Sequence, residues 1–281
     1  MLVRTILAAA VMPVLAVLPL PAMADGDPSL HYREVAVPLF AGGYIGLNAG
    51  AAWGNSSFST NPGCPPLAVD ATFCNDAPDP SAANGAAVAA SGTGDLSSRG
   101  FTGGIQGGYN WQHGNIVFGG EGDFGAFNLR KSASPTGVFP FPFLGTAYAL
   151  NESMSTDWLI TLRGRLGYTV APHLLLYATA GVALTDFSFS SSYSDNAIDA
   201  TFPGGTGAAS ISTVRTGWAV GGGGEWMLDS RWSVKAEYLY LDFGSTDLAV
   251  ATSNTADYTQ TMVVDADLLA QVARVGINYR P

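Results

Sequence analysis

The chain is poor in the residues that carry most chemistry. Its 281 residues include three histidines and two cysteines, and only 12% are charged, against about 25% in an ordinary soluble domain. Basic residues are the scarcest, with 12 Lys and Arg facing 22 Asp and Glu. That acidic balance argues against a nucleic-acid partner, whose phosphates require basic patches. No long uninterrupted apolar run remains after Leu20, so no helix of the processed chain is expected to span a bilayer. His31 lies in a stretch without pattern, and His113 and His173 fall in short turns, which argues against a Ser-His-Asp site. The Gly221 to Gly224 run resembles a phosphate loop only superficially, because neither a helix nor a Lys-Ser/Thr pair follows it. Cys64 and Cys74 have no histidine nearby and too few other ligands for a metal site. No catalytic, cofactor-binding or metal-binding residue is therefore assigned, and an enzyme is not expected.

What is present begins with a leader. Arg4 provides a positive start, Thr5 to Leu20 is apolar, and Ala22-Met23-Ala24 is a small-x-small cleavage site. Residues 1–24 are expected to be a secretory signal peptide. Pro13, Pro19 and Pro21 argue against a retained membrane helix. Losing Arg4 leaves 11 basic residues against the same acids. For an exported chain, Cys64 and Cys74, close together in NPGCPPLAVDATFCND, are expected to form a disulfide.

Residues 25–41 show no sustained alternation and are expected to be an N-terminal periplasmic tail. From there to 281 the pattern is period two, in which successive side chains point to opposite faces of a strand. The clearest case is DWLITLRGRLGYTV, Asp157 to Val170. Trp158, Ile160, Leu162, Leu166, Tyr168 and Val170 share one parity, and Arg163 and Arg165 the other. Comparable segments run from Tyr44 to Trp53, Phe101 to Trp111, Ile116 to Asn128, Leu174 to Phe187, Arg215 to Leu228, Arg231 to Leu241 and Leu268 to Tyr279. Short turns at His113-Gly114-Asn115, Ala171-Pro172-His173 and Asp229-Ser230 alternate with long polar segments. Those are Gly54 to Ser98, Leu129 to Thr156, Ser188 to Thr213 and Asp242 to Asp267. About eight strands with this rhythm predict an all-β fold: an eight-stranded antiparallel up-and-down transmembrane β-barrel with long extracellular loops and short periplasmic turns. An even count lets the two ends meet without the free edge that a bilayer forbids.

With the apolar parity toward lipid, the lumen receives Glu121, Asp123, Glu225 and Glu237 together with Arg163, Arg165, Lys235 and Arg274. An eight-stranded barrel is just wide enough for side chains to fill it, and desolvated charges cost several kcal/mol each unless paired. The expectation is an ion-paired, closed interior. A soluble sandwich would place the same charges on a solvated face, but would need a second sheet over the aromatic one. Trp53, Trp111, Trp158, Trp218, Trp226, Trp232 and Tyr279 look instead like interfacial girdles.

Several segments in consistent order carry a resemblance: YIGLNAG (44–50), FTGGIQGGYNWQ (101–112), FGGEGDF (118–124), DWLITLRGRLGY (157–168), LYATAGVA (176–183), GWAVGGGGEW (217–226), WSVKAEYLYLDFG (232–244) and RVGINY (274–279). Together they resemble the small outer-membrane immunogenic, porin-like proteins of alpha-proteobacteria, related to OmpA-like and opacity-type barrels. The resemblance implies an outer-membrane surface protein that supports envelope integrity, with no catalytic residues to carry over. It also implies lipid, lipopolysaccharide and the barrel-assembly machinery as partners, and a host or environmental ligand at the loops. That family usually ends on an aromatic residue, whereas Arg280-Pro281 follow Tyr279 here.

The leading expectation is thus a structural, surface-exposed barrel. The alternatives are a narrow porin for small solutes, and heme or host-surface binding by loop aromatics such as Phe139, Phe141, Phe143 and Tyr148.

Overall fold

The computed structural model describes residues 39–63, 82–140, 146–196, 204–254 and 259–281. The expected signal peptide, most of the expected tail, both cysteines with their disulfide, and Phe141 and Phe143 lie outside the described residues.

Eight long strands form the wall: β1 (Gly42–Pro62), β2 (Thr93–His113), β3 (Ile116–Ala133), β5 (Ala147–Ala171), β6 (Leu174–Asp195), β7 (Gly205–Met227), β8 (Trp232–Asn254) and β9 (Thr259–Tyr279). A short β4 (Thr136–Val138) adds to the rim of β5, and one helix, α1 (Ala82–Ser91), lies between β1 and β2. Every neighbouring pair is antiparallel, β1 pairs with β9, and β3 pairs with β5, so the ring closes. No helix among the described residues is long and apolar enough to cross a membrane; the strands provide the apolar surface.

That surface is a belt. Ile45 and Leu47 on β1, Phe101 and Ile105 on β2, Leu162 and Leu166 on β5, and Val275 and Ile277 on β9 all point outward and are exposed. Along β7 and into the turn that follows it the belt runs from Trp218 to Leu228. At about 3.3 Å per residue and a 40° tilt, that span is roughly 25 Å, the height of an outer-membrane apolar band. On β5 the belt extends from Trp158 to Val170.

The expected long loops are mostly strand. β1 runs on to Pro62, β3 to Ala133, β6 to Asp195 and β8 to Asn254, while β5 starts at Ala147, β7 at Gly205 and β9 at Thr259. Above the belt the pattern inverts. Outward positions become polar, as in Asn55, Ser57 and Ser59. Inward ones become apolar, with Phe187, Phe189, Leu248, Val250, Met262 and Val264 all buried. They join Phe127, Leu129, Leu150, Tyr148 and Phe139 in one cluster, and Val88 of α1 belongs to it. Beyond the bilayer a strand meets water outside and its partners inside, so it takes a soluble barrel's polarity. Phe139 and Tyr148, named only in the alternative of ligand binding by loop aromatics, are buried and pack ring against ring at 4.9 Å.

Candidate functional site

Inside the belt the lumen is polar, and the register explains why. Glu121 lies opposite Arg163 across β3 and β5, Glu225 opposite Lys235 across β7 and β8, and Glu237 opposite Arg274 across β8 and β9. All eight residues assigned to the interior from parity point inward and are buried.

Their side chains meet across the lumen. Arg163 reaches Glu121 at 2.7 Å, Asp123 at 2.9 Å and Glu237 at 2.9 Å. Lys235 crosses to Glu121 at 2.7 Å and lies 3.9 Å from Glu237. Arg274 closes the circuit on Asp123 at 2.9 Å and Glu237 at 2.8 Å. Thr161 donates its hydroxyl to Asp123 at 2.6 Å and accepts Arg163 Nε at 2.9 Å. Glu225 forms a second centre toward the periplasmic end, paired with Arg165 and, at 2.7 Å, with Arg280. Ser233 and Asn278 also donate to it, at 2.6 and 3.2 Å.

Tyrosines join the two centres. Tyr44 donates to Glu121 at 2.7 Å and accepts from Arg165 at 3.3 Å. Tyr177 donates to Glu237 at 3.2 Å, and its ring carries the Arg165 guanidinium 3.7 Å from its centroid. Buried charges of this kind are tolerable only when paired and hydrogen-bonded.

The same parity puts uncharged polar residues on the inner face beside the charged ones, Gln106 and Asn278 as read from the sequence and Tyr44, Asn48 and Tyr177 in addition. Tyr44 alternates with Ile45, and Tyr177 with Leu176. Gln106 accepts from Asn48 at 3.0 Å and donates to Asn278 at 2.6 Å. Arg280, read from sequence as a departure at the chain's end, is a buried partner of Glu225 and donates to Ser233 at 3.0 Å. Below it Phe40, at the end of the expected tail, packs with Val117, Leu175, Tyr177 and Met227 inside the periplasmic end. Its backbone N–H donates to Gln112 at 3.0 Å.

Inner-face glycines make room for these side chains. A Cβ on Gly108 would lie 2.6 Å from the Tyr44 hydroxyl, and one on Gly223 would lie 2.8 Å from the Tyr177 hydroxyl.

One acid stands apart. Glu152 lies on β5 above the belt, is buried, and accepts from Ser191 at 2.8 Å, while its Oε2 has no partner among the described residues. Burial pushes its carboxyl up to about 7, and the Ser191 hydrogen bond opposes the shift only partly. A folded-state value above the unfolded one means that the ionised form costs stability. The cost starts as pH rises past the ordinary carboxylate range and is complete above about 7. Glu152→Gln is expected to leave stability near pH 4 almost unchanged. At pH 8 it should raise stability by on the order of 2–3 kcal/mol, the linkage energy of a carboxyl raised from its ordinary value to about 7. Denaturant titrations of detergent-folded protein at the two pH values measure this, and an equal effect at both would contradict it.

A closed ring of eight antiparallel strands, with an apolar belt outside and a paired ionic interior, defines an outer-membrane β-barrel. The sequence places it more narrowly: residues 10–280 match the family model described as outer membrane protein beta-barrel domain, and the chain belongs to that family. It is 30% identical over 248 residues to the 31 kDa outer-membrane immunogenic protein of Brucella melitensis, covering 86% of this chain and 83% of that protein. It is also 32% identical over 153 residues to the 22 kDa outer membrane protein of Rhizobium leguminosarum, covering 54% of this chain and 57% of that protein. Among solved structures, OprG of Pseudomonas aeruginosa is similar, with a TM-score of 0.45 and 13% identity over 86% of this chain and 97% of that one. The protein resides in the outer membrane.

Proposed function

We propose that this protein is a non-enzymatic, structural barrel of the outer membrane. It supports envelope integrity and presents its rim at the cell surface, with a lumen closed by ion pairs. The supporting observation is the circuit in which Arg163, Lys235 and Arg274 tie Glu121, Asp123 and Glu237 together across the barrel. An apolar cluster lies above this circuit and Phe40 below it. A solute would have to separate several buried pairs at once, each costly to break. The word immunogenic in the names of Brucella relatives agrees with surface display. Lipid and lipopolysaccharide are the surrounding partners, and the barrel-assembly machinery is the partner for insertion.

The full chain, refolded and inserted into planar lipid bilayers, is expected to give no stable conductance steps. Long-lived, uniform steps would favour the narrow-porin alternative instead.

A further inference from the structure

The barrel wall has a break. β7 and β8 pair from Trp218↔Asp242 down to Met227↔Ser233, and again at the rim from Gly205↔Asn254 to Gly207↔Thr252. Between these stretches, residues 208–217 and 243–251 have no partner across the β7–β8 interface. Their other edges remain paired, β7 with β6 from Ser192↔Ala208 to Ala183↔Gly217, and β8 with β9 from Ser245↔Asp267 to Ala251↔Thr261. The break is therefore an elongated slit between two intact half-walls, closed at both ends.

A bulge produces it. The β8–β9 register slips between Asp242 and Ser245, and Gly244 within the slip has φ of 67°, which a glycine adopts without penalty. The bulge turns β8 away from β7 immediately above Trp218 and Tyr240, whose rings lie 5.5 Å apart on the outer surface. The slit thus begins at the upper edge of the apolar belt.

Its inner side is apolar. Phe187, Phe189, Phe243, Leu248 and Val250 are buried, and Ile211 packs against them. The inward residues of β7 along the slit, among them Ile211 and Arg215, are only half-buried, whereas the inward residues of β6 beside them are buried. Arg215 spans the opening, donating through Nη2 to the carbonyls of Phe243, at 3.0 Å, and Ser245. Among the described residues it forms no ion pair.

We infer that this slit is a binding site for a single-chain amphiphile with one acidic headgroup, a free monocarboxylate with an alkyl tail. The tail enters between β7 and β8 onto Phe187, Phe189, Ile211 and Leu248, and the carboxylate pairs with Arg215. A lone guanidinium that holds only backbone carbonyls can exchange them for a carboxylate in a stronger, charge-assisted pair. Continuity with the belt lets such a molecule arrive from the outer leaflet. The slit is separate from the ionic centre below, whether or not that centre conducts.

The test uses the full chain, refolded in deuterated detergent, with dodecanoate as the probe and dodecanol as its uncharged counterpart. Without probe, alternate amides of residues 208–217 and 243–251 should exchange with solvent far faster than those of 219–227. Uniform protection along β7 would show a zipped wall and overturn the inference. With dodecanoate, NOEs should connect its chain to the Ile211 and Leu248 methyls. Contacts confined to the outward Val214 and Val220 would mean partition into the belt and would also overturn it. Arg215→Gln should weaken dodecanoate binding at least about tenfold, the loss of one charge-assisted pair, and leave dodecanol unaffected. Arg215→Lys should retain most of the affinity for the acid. An equal loss for both probes in Arg215→Gln, with its heat-modifiable folded band intact, would count against a carboxylate site.

Discussion

Arg163→Ala is expected to destabilise the folded barrel by about 3–5 kcal/mol, because truncating one member of a buried ionic group leaves its partners charged and desolvated. The guanidinium serves three carboxylates, those of Glu121, Asp123 and Glu237, so its removal strands more charge than the loss of a simple pair. Denaturant titration in detergent micelles, read by the heat-modifiable band on gels, measures the change. Arg130→Ala is the matched control: Arg130 holds Asp157 at 2.6 Å, but both side chains are well exposed, and such pairs contribute within about 1 kcal/mol. Similar effects at the two positions would mean that the lumen is hydrated and the circuit weak.

Neighbouring glycines should give opposite results. Gly108→Leu is expected to cost about 3 kcal/mol or more, as overpacking does when no relaxation is open to the site. Its side chain would enter the space of the Tyr44 ring and crowd the Gly120 carbonyl, displacing the hydroxyl that bridges Glu121 and Arg165. Gly107→Leu points to the other face, where the nearest atom to a new Cβ is the Tyr44 carbonyl at 3.3 Å. It adds apolar surface toward lipid and should change stability by less than about 1 kcal/mol. Folded yields of the two variants, refolded side by side, separate these outcomes. A tolerated Gly108→Leu would contradict the filled lumen.

Strand number, facing and inner charge were legible in the sequence because within the belt both faces carry strong and opposite signals. Arg163 between Leu162 and Leu166, or Glu237 beside Tyr238, leaves no ambiguity of phase. The upper strands were not legible for the same physical reason. In β6 the apolar residues pass from Leu176 and Val182 outside to Phe187 and Phe189 inside, so a search for outward apolar residues stops at the bilayer edge and reads the remainder as loop. The slit left little sequence signal: β7 keeps its alternation through it, and in β8 only Gly244 and the switch of inward parity from Leu241 and Phe243 to Leu248 and Val250 mark it. Arg280 was legible in parity, two residues beyond Asn278 on the inner face, but its position after the last apolar residue hid it. Glu152 lies in a stretch read as loop, where a buried acid is not looked for.

The inversion of polarity along each strand also fixes the molecule's depth. A displacement outward would lift Trp158 and Trp218 into the carbohydrate layer, and one inward would push Ser57, Ser59 and Asn55 among acyl chains, so both directions are opposed over the whole circumference. The barrel is therefore gauged to one bilayer thickness. In a membrane of different thickness, the lipid around it should deform before the protein slides.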